Sequence, residues 1–249
     1  MTPRHTGIGK LWLLNIVANA ALMVAVYLWL VLPDMRAWQV ALSAVLALVI
    51  IFCALWLRTG TFAYFRLTEF RENGTVWDCF RRTRVHILPF LLWTVPLACV
   101  EWCLFQELRY APQFGVWIWQ KAPFLRIGSP RTMNHIAEWC IGIAMFLALA
   151  CWLPIASSIA ASGLRSHNFG RSLRVVRHGA YWLWLIGLVV VGGYLPYRLI
   201  WWVPDITTLT GQAWSAGLRL AVAYLIVVSA WIALLFEVGM RVETEDRAS

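Results

Sequence analysis

The stretch "ALSAVLALVIIFCALWL", residues 41–57, decides the fold because it carries no charged residue. Polar and apolar residues do not alternate along it, as they would in the strands of about ten residues that build a membrane barrel. A helix that rises about 1.5 Å per residue crosses a hydrocarbon core of about 30 Å with roughly 20 apolar residues. The stretch therefore predicts a membrane-spanning helix.

Apolar runs of this kind recur along the whole chain. Of its 249 residues, 61% are hydrophobic and 13% are charged, and the mean hydropathy is +0.68. This composition excludes an ordinary soluble domain. Six runs are long enough to span a membrane: 11–32, 38–57, 85–105, 136–161, 180–203 and 214–240. We predict an all-α integral membrane protein, a six-helix transmembrane bundle that forms one domain, and we expect the first span to be retained because it is too long for a signal peptide.

The distribution of basic residues predicts the orientation. Of the 21 Lys and Arg residues, 14 fall on the side of the two termini, five in the opposite loops and two inside spans. The positive-inside rule places the basic side in the cytoplasm. We therefore expect a plasma membrane protein, or a cell inner membrane protein in a bacterium, with both termini cytoplasmic.

Two arginine clusters follow the second and fourth spans. Thr75 and Asp78 form a T-x-x-D capping pattern before the first cluster, and Asn168 is a candidate N-cap before the second. Both clusters combine apolar and basic residues at helical spacing, which predicts short amphipathic helices in the membrane interface. Anionic headgroups on the cytoplasmic side are the partners expected for their arginines: Arg81, Arg82, Arg84, Arg171, Arg174 and Arg177. Nucleic acid is not expected, since no recognition motif accompanies the divided charge.

The two clusters also match each other with an offset of 93 residues. Arg81 corresponds to Arg174 and Arg84 to Arg177, and apolar residues match before them, Val76 with Phe169 and Phe80 with Leu173. Internal repeats are frequent in transporter folds. The match predicts three two-helix units that start near residues 1, 75 and 168.

Four charged residues lie inside the predicted spans near their outer ends: Glu101, Glu138, Arg198 and Arg219. Charges inside a membrane are functional-site hypotheses by default. These four outer charges either pair with one another, reach separately toward the headgroups, or line an outer vestibule.

Two asparagines lie four residues apart on the first span. Asn15 and Asn19 therefore share one helix face, which predicts interhelical hydrogen bonds worth about 0.6 to 2 kcal/mol each.

No catalytic or cofactor motif stands out. The set His135, Glu138, Cys140, Cys99 and Cys103 does not have the spacing of an established metal site, and His86 with His178 lacks the arrangement of a haem site. No nucleophile elbow, phosphate loop or zinc-protease motif is present. We expect neither a metal nor another cofactor.

The connection between the third and fourth spans is the longest non-cytoplasmic segment, about 30 residues. We expect it to be a loop, with Phe114, Trp117, Trp119 and Phe124 at the outer interface.

Taken together, these features favour a non-enzymatic scaffold or a partner-binding subunit that contacts another membrane protein. A small permease-like transporter is the alternative, and an enzyme that acts on lipid at the membrane surface is a further one. A cavity that joins Asn15 and Asn19 to the four outer charges would favour transport, whereas a closely packed bundle would favour the scaffold.

Overall fold

The computed structural model describes residues 6–33, 36–67, 75–121, 129–164, 169–205 and 207–247. These residues form helices and contain no strand. The helices are α1 (Thr6–Leu30), α2 (Ala37–Arg66), α3 (Val76–Thr83), α4 (Ile87–Lys121), α5 (Pro130–Ser162), α6 (Phe169–Ser172), α7 (Gly179–Val189), α8 (Leu195–Trp201) and α9 (Leu209–Arg247). Short 3-10 turns, Arg84–His86 and Leu173–Arg177, precede α4 and α7, and a π-helical turn, Val190–Tyr194, joins α7 to α8.

Six of the helical segments in this part of the chain are long and apolar enough to cross a membrane. They are α1, α2, the α3–α4 segment, α5, the α7–α8 segment and α9. The prediction of an all-α membrane bundle is confirmed.

The predicted outer loop, 106–135, is wrong for most of its length. α4 continues to Lys121 and α5 begins at Pro130, so the two helices extend as an antiparallel pair beyond the predicted spans. Hydropathy locates the edge of the bilayer, whereas backbone hydrogen bonds continue a helix into water. The 35 residues of α4 span about 52 Å at 1.5 Å per residue, roughly 20 Å more than the hydrocarbon core. Phe124 lies outside the described residues.

The core of the bundle lies toward one end, which we call the basic side because α3 and the turn Leu173–Arg177 lie there. α2 is central: it contacts α1, α3, α4, α5 and α9, and its residues 59–65 are all buried. The ring of Phe62 contacts the rings of Phe90, Trp152 and Trp231 at centroid distances of 5.6, 5.8 and 6.2 Å. Toward the opposite side the helices expose most of their apolar faces, as surfaces in contact with lipid do.

Helix α3 docks on α2. The backbone N–H of Asp78 donates to Thr75 Oγ1 over 3.1 Å, so the predicted cap at Thr75 is present. Trp56 Nε1 donates to the carbonyl of Phe80 over 3.0 Å. A Cβ atom on Gly60 would lie 2.6 Å from the ring of Phe80, so glycine is needed where α3 crosses α2.

The second cluster forms a shorter helix than the first. α6 has four residues and passes into the 3-10 turn Leu173–Arg177, while Asn168 lies outside the described residues. The Ser172 and Ser158 hydroxyls are 2.6 Å apart and join this connection to α5. Both connections therefore consist of a short helix, a 3-10 turn and a spanning helix, and both dock on the helix before them. The three-unit repeat stays a prediction.

Candidate binding groove

The four outer charges lie on separate helix pairs. Glu101 and Glu138 belong to α4 and α5, which pack along each other, whereas Arg198 and Arg219 belong to α8 and α9. Within the residues that the structure describes, no ion pair joins either acid to either base. The outer vestibule stays a prediction, without such a pair to support it.

Local contacts satisfy two of these charges. The ring of His135 lies 3.1 Å from a carboxylate oxygen of Glu138, measured from Nδ1 to Oε2. The guanidinium of Arg219 donates to the carbonyl oxygen of Ile200 over 3.1 Å and also to that of Trp202. These two carbonyls lie at the end of α8, where helical partners are missing, so Arg219 stabilises a helix terminus.

Asn15 is fully buried between α1 and α2. Its Nδ2 donates to Thr61 Oγ1 over 3.2 Å and to the carbonyl of Leu11 over 3.0 Å. The predicted interhelical hydrogen bond at Asn15 is therefore present. Thr61 is also buried; its hydroxyl lies 2.7 Å from the carbonyl of Leu57 and 3.4 Å from Asn15 Oδ1, so the polar atoms of this pair face each other and their own helices.

Asn19 makes a different contact, with an arginine that hydropathy assigns to a loop. Arg58 Nη2 donates to Asn19 Oδ1 over 3.0 Å, and the Arg58 guanidinium carbon lies 5.2 Å from the ring centroid of Trp231. Tyr224 is also close enough to interact electrostatically with Arg58, and no carboxylate pairs with Arg58 in the described part of the chain. Arg58 is thus a half-buried cation with unused donors.

Arg58, Asn19 and Tyr224 line one end of a groove of about 820 Å³. α1 and α9 form its walls and α2 its floor. Apart from the hydroxyl of Tyr27, the remaining lining is largely apolar, for example Leu22 on α1 and Ala54 on α2. The volume is in the range of about 300–1,000 Å³ that is typical of ligand pockets. The groove is open along one side, and in a membrane protein that side faces the bilayer.

Two hydrogen bonds join the groove walls near the polar end. The Tyr224 hydroxyl donates to the carbonyl of Ile16, and Trp12 Nε1 donates to Ser229 Oγ over 3.0 Å. Both link α1 to α9. They hold the walls together near Arg58, whereas the groove extends along α1 as far as Leu30 at the other end.

Sequence reasoning missed Arg58 because the residue follows an apolar run directly and was counted among the basic-side loop charges. The available signal was the sequence that follows: residues 59–65, "TGTFAYF", carry no further charge and prolong the apolar character. Arg58 is thus the single charge in a run that continues to Phe65, and such continuity favours a position within the helix.

The six predicted headgroup contacts lie on the basic side. Arg81, Arg82 and Arg84 are exposed on α3 and the turn after it, and Arg174 and Arg177 are exposed on the second connection, while Arg171 is half-buried. Their contact with anionic lipid stays a prediction.

The described residues do not bring metal-binding side chains together. No group of three or more His, Cys, Asp and Glu side chains converges within them. His86 Nδ1 lies 3.0 Å from the carbonyl oxygen of Ala160, whereas His178 lies 3.5 Å from Glu245. The two histidines thus have separate partners.

No protein-family model matches the chain, and no curated protein or solved structure is significantly similar to it. The fold defines the class: a multi-pass, all-helical membrane protein. Its function has to be argued from the groove and the packing around it.

Proposed function

We propose that the protein is a non-enzymatic membrane subunit that binds a partner resident in the bilayer, and that the Arg58 groove is its binding site. One observation carries the proposal: an apolar groove of about 820 Å³ ends at an arginine with no acidic partner among the described residues. An uncompensated charge in a membrane span is a functional-site hypothesis by default.

The surroundings of the groove support binding rather than passage. None of the four outer charges lines it, and the buried Asn15 is bonded to Thr61. Beyond Arg58, residues 59–65 of α2 are enclosed in the core of the basic side. The groove thus has one polar end and no chain of polar groups that leads across the bundle.

The permease alternative has weaker support. A second cleft of about 760 Å³ lies between α5 and α7, and of the four outer charges it takes in Glu138 alone. An enzyme that acts on lipid would need a base or a nucleophile at its site. The described residues that line the Arg58 groove include no histidine, carboxylate or cysteine, and of their two tyrosines Tyr224 already donates its hydroxyl to the carbonyl of Ile16.

Site-specific photocrosslinking in native membranes tests the proposal. A photoreactive amino acid at Tyr27, which lines the groove, is expected to give a defined adduct. The same amino acid at Leu28 is the matched control, since Leu28 is exposed on α1 and lies outside the groove. Identical adducts at both positions, or none at Tyr27, would contradict a specific occupant.

A further inference from the structure

We infer that Arg58 binds the headgroup of an anionic lipid, and that the lipid chains lie along the groove toward the outer end of α1. The inference rests on the proposed function, because it names the chemical class of the partner that the groove binds.

The charge of Arg58 supplies the first argument. A guanidinium has five N–H donors in a planar fork, and the hydrogen bond to Asn19 uses one of them. The face of the guanidinium rests on Trp231, which leaves donors at its edge without a carboxylate in the described part of the chain. A phosphate accepts from such a fork with two parallel charge-assisted hydrogen bonds. An anionic headgroup would thus neutralise the cation and satisfy the remaining donors.

The depth of Arg58 supplies the second argument. Arg58 lies on α2 between Trp56 and Gly60, the two residues that contact Phe80 on α3. α3 is amphipathic and carries exposed Arg81 on its basic face, as a helix in the membrane interface does. Arg58 therefore lies within about one helical turn of the depth of an interfacial helix, which is where a headgroup meets its chains.

The length of the groove supplies the third argument. From Asn19 to Leu30 on its α1 wall, 11 residues correspond to about 16 Å. This is about half of the 30 Å hydrocarbon core, and the groove ends at Leu30, the last residue of α1. A lipid with its headgroup at Arg58 would thus have chains of matching length. A partner transmembrane helix would instead need a groove that continues across both leaflets, so the dimensions favour lipid.

The test uses the full chain purified in detergent, with phosphatidylglycerol as the anionic probe and phosphatidylcholine with identical chains as the neutral one. Native mass spectrometry counts the lipids retained, and a thermal shift titration gives the apparent affinity. We expect phosphatidylglycerol to bind and to raise Tm more than phosphatidylcholine does. Arg58→Gln, which keeps a polar side chain but removes the charge, should weaken phosphatidylglycerol binding at least about tenfold.

Three further variants separate the site from general effects. Ala54→Trp fills the floor of the groove while Arg58 is unchanged, and it should also lower lipid retention. Ala44→Trp is its control, because Ala44 is exposed on the same helix and lines no part of the groove. Lys10→Gln removes an exposed basic-side charge that is not among the six predicted headgroup contacts and does not line the groove, and it should leave retention close to that of the unmodified protein.

The outcomes distinguish this inference from the proposed function. Equal phosphatidylglycerol binding by the unmodified protein, Arg58→Gln and Ala54→Trp would overturn the inference. A protein adduct at Tyr27, with no preference for phosphatidylglycerol, would also overturn it but would leave a partner-binding groove in place. Absence of both a specific adduct and retained lipid would overturn both. If Arg58→Gln does not fold, the pair Ala54→Trp and Ala44→Trp decides the inference.

Discussion

The contact between α2 and α3 predicts that Gly60→Ala destabilises the protein. An ideal Cβ atom on Gly60 would lie 2.6 to 2.7 Å from three ring carbons of Phe80, about 1 Å closer than an ordinary carbon contact of 3.5–4.0 Å. Phe80 is 3% exposed. Trp56 donates a hydrogen bond to the carbonyl of Phe80, and the two rings lie edge-on at a centroid distance of 6.1 Å. The ring therefore has little space into which to move.

Overpacking of this kind costs about 1 to 3 kcal/mol. For a chain of this size, each kcal/mol lowers Tm by roughly 2 to 4 °C, so thermal unfolding in detergent should show a loss of several degrees. Phe80→Leu in the Gly60→Ala background should recover much of that loss, and the double-mutant cycle should give a coupling of about 1 kcal/mol or more.

Gly187→Ala is the matched control, because a Cβ atom there meets nothing within 4 Å. Alanine at an unobstructed helix position is neutral or stabilises by up to about 1 kcal/mol. An unchanged Tm for Gly60→Ala, or a Phe80→Leu substitution that fails to suppress its effect, would refute the close contact between α2 and α3.

Three further predictions follow from the other contacts. Asn15→Leu and Thr61→Val should show a coupling of about 0.6 kcal/mol, and at most about 1.7, in thermal unfolding; additive effects would mean that the buried hydrogen bond contributes nothing. Arg219→Gln should lower Tm because two carbonyls at the end of α8 lose their donor. In a double-mutant cycle with Glu101→Gln, the coupling free energy should be close to zero; a coupling above about 1 kcal/mol would instead support paired outer charges. Finally, a cysteine in place of Phe114, in a background without other cysteines, should react with a membrane-impermeant maleimide added from outside intact cells; reaction from the cytoplasm alone would reverse the predicted orientation.

Most of the fold could be predicted from the sequence because membrane spans are encoded in composition. Uncharged runs such as residues 41–57 identify a helix by length alone, and all six runs correspond to helical segments in the structure. The ends of the helices could not be predicted in this way. α2 and α4 both continue beyond the last apolar stretch, and Pro112 lies within α4 even though proline usually favours a break.

The candidate site was only half predicted. Asn15 and Asn19 indicated a polar helix face, and the structure places both against α2. Arg58 was missed because the charge of a residue does not show on which side of a span boundary it lies. That depends on the packing of α3 and α9 around α2, and contacts between residues far apart in the chain leave no local pattern in a single sequence.

The placement of the core toward the basic side has a consequence for how the chain is made. Residues 59–65 of α2 are covered in part by α9, where Leu235 and Val238 are buried. The two helices approach closely at Gly239, because a Cβ atom added there would lie 2.9 Å from the backbone of Phe65. Synthesis proceeds from the N-terminus at about 5 to 20 residues per second, so about 9 to 35 seconds separate the emergence of α2 from that of this part of α9. During that interval Arg58 and the polar residues around Thr61 are in the membrane without the helix that covers them in the folded protein.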